Sequence, residues 1–145
     1  MNWIKINSQK DVDYLNDIFD NFHDSFLKEV SISLGSYVDR DSVMHENNKP
    51  IARFLFQRHW DNPPVIEIEF GEVMQINIKP ASKNEFTYIM ESKVYYEKDV
   101  FFLSTNDYEY YEDGKNDYTW IAAKEVKWRV RDDLLGGENV YFPDN

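Results

Sequence analysis

"VIEIEF", residues 65–70, alternates without a break: Ile66, Ile68 and Phe70 point one way, Glu67 and Glu69 the other. That period of two specifies a strand with one buried and one wet face. "DNPP" (61–64) stands just before it. Proline lacks the amide donor and pushes its predecessor out of helical space, so a turn separates this strand from the one before. That earlier strand is "IARFLFQRHW" (51–60), with Phe54, Phe56 and Trp60 on one face and Leu55 on the other. Downstream, Gly71 supplies a bend or bulge before "EVMQINIKP" (72–80), and "ASKNE" makes a further turn.

Working outward, "NWIKI" (2–6) predicts a short first strand. Val12, Leu15, Phe19 and Phe22 then recur at spacings of three and four, which predicts a helix over about residues 9–21. Ser8 with Asp11 approximates a capping box at its start. The period returns to two in "FLKEVSISL" (26–34), where Val30, Ile32 and Leu34 alternate with Glu29, Ser31 and Ser33. "DRDSVMHENNKP" (39–50) reads as a long loop or an irregular hairpin end.

"FTYIMES" (86–92) and "VYYEKDVFFLS" (94–104) are rich in the aromatic and β-branched residues of strands. In "TWIAAKEVKWRVR" (119–131) Val126, Trp128 and Val130 oppose Lys127, Arg129 and Arg131, so the strand period prevails over a helix. A turn-rich tail is expected to dock through Val140, Tyr141 and Phe142. The whole predicts one α+β domain over residues 1–145: an N-terminal helix packed on a mostly antiparallel, curved sheet of about seven strands, as a sandwich or partly open barrel. Short Pro- and Gly-marked connections favour antiparallel neighbours, since parallel crossovers need a dozen or more residues.

Composition narrows the function classes. A chain of 145 residues buries roughly 68–70% of its unfolded surface and can hold a core without staples. It has no cysteine, which removes disulfides, thiolate metal sites and cysteine nucleophiles. The start lacks the cationic-then-apolar pattern of a signal peptide, and no run approaches the roughly 18 apolar residues of a membrane span, so a cytoplasmic location is expected. The net charge of −11 disfavours nucleic acid and anionic membrane, and attracts a basic partner.

No catalytic constellation is legible. The chain has no G-x-S-x-G, Walker loop or dinucleotide fingerprint, so no catalytic residue and no cofactor is assigned. His23, His45 and His59 are isolated, and Asp39, Asp41 and Glu46 lack calcium-loop spacing, so no metal site is assigned either. Glu67 and Glu69 are expected to pair across strands with Lys127, Arg129 or Arg131.

"FHDS" puts Phe22, His23, Asp24 and Ser25 where the helix gives way to a strand. Histidine suits a helix C-terminus, and Asp and Ser bond nearby backbone amides in turns, so these four residues read as a structural joint. A helix ending in "FHDS" and running into "FLKEVSI" resembles a loose group of small bacterial proteins, some of them similar to immunity proteins of toxin systems. The resemblance implies structural roles for the four joint residues and a cognate toxin as partner, with no active site.

The most distinctive stretch is "NDYEYYEDGKNDY" (106–118). Asp107, Tyr108, Glu109, Tyr110, Tyr111, Glu112, Asp113 and Asp117 form the candidate partner-binding surface. Tyrosines act as anchors of large area and few rotors, and the acids complement lysines and arginines. An acidic inhibitor of this kind blocks a basic toxin or nuclease by occupying the surface meant for phosphates. Two other classes stay open: a structural domain that self-associates through a strand edge, and a β-domain that binds a small ligand.

Overall fold

The computed structural model describes residues 2–107 and 116–143. The Ser8 Oγ accepts the Asp11 N–H at 3.3 Å, while the Asp11 carboxylate accepts the Asn7 N–H at 2.8 Å, so both ends of the cap are tied. The helix α1 that follows (Gln9–Ile18) buries Val12 and Leu15 and is shorter than the spacing predicts. It stops because Asp20, Asn21 and Phe22 take φ of 47°, 49° and 60°. Asp and Asn tolerate this left-handed region; Phe does not. Phe22 is held there by complete burial, edge-on to Phe19 at 5.4 Å and to Phe56 at 4.9 Å.

Among the described residues there are nine strands: β1 (Ile4–Lys5), β2 (Ser25–Ser33), β3 (Tyr37–Val38), β4 (Met44–His45), β5 (Ile51–Arg58), β6 (Val65–Asn77), β7 (Tyr95–Glu97), β8 (Val100–Ser104) and β9 (Trp120–Val130). Seven of them make one open antiparallel sheet in the order β2-β5-β6-β9-β8-β7, with β1 also alongside β9. This is the α+β architecture that the sequence predicts, and the sheet does not close. β1 and β8 share one edge of β9, because Ile4 pairs with Trp128 and Phe101 with Ala123.

The loop expected at 39–50 contains β4 and the turn of a small hairpin, whose first strand β3 lies just before it. Its acids serve the turn: Asp39 accepts the N–H groups of Asp41 and Val43 and lies 2.7 Å from His45. Residues 86–92 do not make the expected strand; they contribute one bridge, Ile89 to Ser25. The stretch 94–104 is a hairpin, turned by Lys98 and Asp99 at φ of 52° and 64°. β6 passes straight through Gly71 and bulges instead between Val73 and Gln75.

One sheet face packs under α1, where Leu15 and Phe19 meet Phe54, Ile68, Phe70 and Trp128 in a single cluster. A bulge at Lys28 lets Leu27 and Val30 both pack against this cluster, since Leu27 pairs with Phe56 and Glu29 with Leu55. The opposite face was expected to be wet, yet Glu29, Glu67 and Glu69 are buried there. Glu67 stands opposite Arg129 and Glu69 opposite Lys127, the pairing their polar faces require. Arg129 Nη2 approaches Glu67 at 2.7 Å and Arg131 Nη1 at 3.5 Å.

The tail covers two of these carboxylates, Glu29 and Glu67. The N–H groups of Val140 and Tyr141 donate to Glu29 at 3.0 Å, and the Tyr141 hydroxyl donates to Glu67 at 2.6 Å. Burial pushes the Glu29 carboxyl up, and these two N–H groups with Lys28 more than reverse it, so it sits below its ordinary range. Phe142, expected to dock, stays exposed.

Candidate partner-binding surface

The "FHDS" joint fastens residues 89–92 to the end of α1. The Asp24 N–H donates to the Ile89 carbonyl at 2.9 Å, and the Ile89 N–H returns to Ser25 at 2.7 Å. The Ser92 N–H donates to Asn21 at 2.8 Å. Nδ1 of His23 lies 2.7 Å from the Met90 carbonyl, to which its protonated form donates. That carbonyl, with Asp24, Asp20 and Glu91, raises the His23 pKa above its ordinary value. Ser25 is buried and its hydroxyl donates to the Phe22 carbonyl at 2.7 Å, so it offers no nucleophile. Asp24 takes φ of 54° and turns its side chain to His23 at 3.3 Å, not to a backbone amide.

What the joint positions is one wall of a groove. Phe86, Tyr88 and Met90 face Asn106, Asp117 and Tyr118 across a hollow of about 360 Å³. The far wall is pinned by Thr119, whose hydroxyl accepts the Lys79 N–H at 2.9 Å, and by the Asn77 amide, which donates to the Tyr118 carbonyl at 2.8 Å. The Phe86 and Tyr88 rings lie 5.1 Å apart, and Phe86 is 76% exposed. Tyr88 also borders a second hollow of about 530 Å³, with Phe26, His59 and Leu135. The His59 ring stacks on Trp60 at 4.2 Å, and Trp60 is 94% exposed at a φ of 64°.

Acids border this aromatic ground. Asp24 lines the second hollow, Glu85 and Asp117 the first. Asp20 and Asp61 act electrostatically on Arg58, and Glu91 on His23. The Glu85 carboxyl is held below its ordinary range by the backbone and hydroxyl of Ser82. Among the described residues that line the two hollows, the cations are Lys79 and Arg58. Arg58 is buried and spent on the carbonyls of Ile18, Asn62 and Pro63 at 2.9–3.0 Å.

The predicted acidic, tyrosine-rich stretch begins and ends here. Asp107 accepts the Tyr95 hydroxyl at 2.8 Å and Asp117 lines the groove. The Thr105 N–H donates to the Thr119 carbonyl at 2.8 Å, so the chain leaves and re-enters the sheet at neighbouring points. Tyr108, Glu109, Tyr110, Tyr111, Glu112 and Asp113 lie outside the described residues. Sequence reading missed Trp60, Phe86 and Met90. For Trp60 the signal was the "DNPP" directly after it: β5 ends at Arg58, and the turn swings Trp60 off the Phe54–Phe56 face.

Among the described residues no group of three or more His, Asp or Glu side chains is arranged to hold a metal ion, and no helix is long and apolar enough to cross a membrane. The chain matches no family model, no curated protein and no solved structure.

Proposed function

We propose that this chain is a protein-binding domain, an immunity-like inhibitor that neutralises a basic toxin or nuclease in the cytoplasm. The observation that carries the reading is the pair of hollows that share Tyr88, with Trp60, Phe86 and Met90 exposed and acids at the margin. Large exposed aromatic residues mark interaction sites, and the residues that dominate interfaces are aromatic anchors set among weaker polar contacts. The acids give such an anchor the sign that a lysine- or arginine-rich partner complements. Part of the chain's positive charge is turned to another face, where Lys28, Arg53, Lys127, Arg129 and Arg131 gather on Glu29, Glu67 and Glu69.

Capture of partners from the native lysate across a salt gradient tests the reading, run beside two variants. One carries Trp60→Ala with Phe86→Ala; the other reverses charge at Glu109, Glu112 and Asp113. A stoichiometric basic partner, released by salt and lost from the aromatic variant, supports it. A partner that binds both variants as tightly as the parent overturns it, as does the absence of any partner at every salt concentration.

Self-association has its own observation. β2 ends the sheet, and beyond its bridge to Ile89 its outer edge has no strand partner among the described residues. Sedimentation over a range of concentrations tests this; a monomer throughout refutes it.

A further inference from the structure

On the sheet face away from α1, Ser31, Arg53, Glu69 and Lys127 stand in one cross-strand row, each the register partner of the next. Glu69 is spent at both oxygens: Oε2 accepts Arg53 Nε at 2.9 Å and Oε1 faces Lys127 Nζ at 3.3 Å. Two cations on one carboxylate leave one positive charge. The terminal guanidinium nitrogens of Arg53 make no hydrogen bond to any described residue. The Trp3 ring borders the cations of this face, its centroid 5.6 Å from the Arg53 guanidinium carbon, 4.9 Å from Lys127 Nζ and 4.1 Å from the Arg129 guanidinium carbon.

Above this row lies a hollow of about 370 Å³, walled by Ser31, Ser33, Ile51, Glu69 and Tyr141 beside the two cations. That volume is toward the small end of the roughly 300–1,000 Å³ of ligand pockets. The Glu69 carboxylate in the wall is engaged by both cations, and the other polar groups there supply donors: the guanidinium end of Arg53, the Lys127 ammonium and two serine hydroxyls. A planar carboxylate matches a guanidinium fork, and a single negative charge matches the single charge left over. Ile51 and the Tyr141 ring offer apolar surface to whatever the carboxylate is attached to. The chain's net charge of −11 repels anions at long range, but screening over about 8–10 Å at physiological salt confines that repulsion.

We propose that this hollow is a binding site for a small organic carboxylate with an apolar body, anchored by Arg53 and Lys127. The site is separate from the aromatic surface and does not depend on the inhibitor reading.

The test is an amide NMR titration of the full chain with phenylacetate, and separately with inorganic phosphate. Phenylacetate produces saturable shifts centred on Ser31, Arg53 and Lys127. Arg53→Gln leaves Glu69 paired to Lys127 and weakens binding about tenfold or more, the loss of one charge-assisted bond. Ile51→Glu sets a carboxylate on the half-exposed rim of the hollow, two residues from Arg53 on the same strand, and also weakens binding. It carries the test if the arginine variant does not fold. Absence of a saturable shift overturns the site. Binding of phosphate but not phenylacetate overturns the carboxylate assignment, and unchanged affinity in folded variants overturns the location.

Discussion

Replacing Tyr141 by phenylalanine removes one oxygen and tests how the tail is held. The Tyr141 hydroxyl donates to Glu67 at 2.6 Å, and Glu67 is 1% exposed, so no water takes its place readily. Hydrogen bonds to charged groups are worth about 1.5–3 kcal/mol. Arg129 still holds the other oxygen of Glu67 at 2.8 Å and the Tyr141 ring remains, so the expected loss is about 2 kcal/mol. For a chain of this size that lowers the melting temperature by roughly 4–8 °C. Urea unfolding followed by tryptophan fluorescence should show a lower midpoint at an unchanged slope.

A Glu67→Gln background supplies the control. The amide oxygen still accepts, but without charge, so Tyr141→Phe should cost only about 1 kcal/mol there. Alkaline pH provides a second readout. Burial first, and then Glu67, push the Tyr141 phenol well above its ordinary value of 10.0. The unfolded chain loses that proton near 10.0 while the folded chain keeps it, so stability falls as pH climbs past that value. The phenylalanine variant should lack this part of the decline. A loss below about 0.5 kcal/mol, or an equal loss in both backgrounds, would refute the view that this bond clamps the tail.

Three further outcomes are expected. His23 should titrate above 6.5 by NMR; its stabilising contribution is present below that value and disappears as pH rises through the raised folded pKa, and a titration at or below 6.5 would sink the Met90 contact. Asn16→Ala should destabilise by about 3 kcal/mol in chemical denaturation. Asn16 clasps the Val94 N–H at 2.8 Å and carbonyl at 2.9 Å, and alanine leaves both buried groups unsatisfied. Trp60→Gly should be neutral or stabilising by up to about 1 kcal/mol, because glycine relieves the left-handed φ of 64° and little burial is lost; a loss above that size would show Trp60 to be a packing residue.

The sequence alone determined the class of fold. Alternation in 26–34, 51–58, 65–70 and 126–130 is a local property that survives any tertiary arrangement, since a strand with one apolar face must bury it. The same alternation put Glu67 and Glu69 on one face with Lys127 and Arg129, and the register joined them. The shortened helix escaped notice because the spacing of Phe19 and Phe22 suits a helix, whereas the turn that buries Phe22 needs Phe56 from a distant strand.

Tertiary structure decided which polar residues stay wet. Glu29 and Glu67 look solvent-facing by period, yet a tail more than seventy residues from Glu67 covers them, and nothing local to either strand encodes that contact. Residues 86–92 have the composition of a strand, but their ladder pairing is the single bridge at Ile89, beside the left-handed Asp24. The aromatic surface likewise depends on remote parts. Trp60 lies in the turn after β5 and Phe86 and Met90 in the connection between β6 and β7, and each was legible in the sequence only as one more apolar residue. Their exposure follows from where strands end and where chain segments are fastened, which are long-range packing and hydrogen-bond decisions rather than properties of a period.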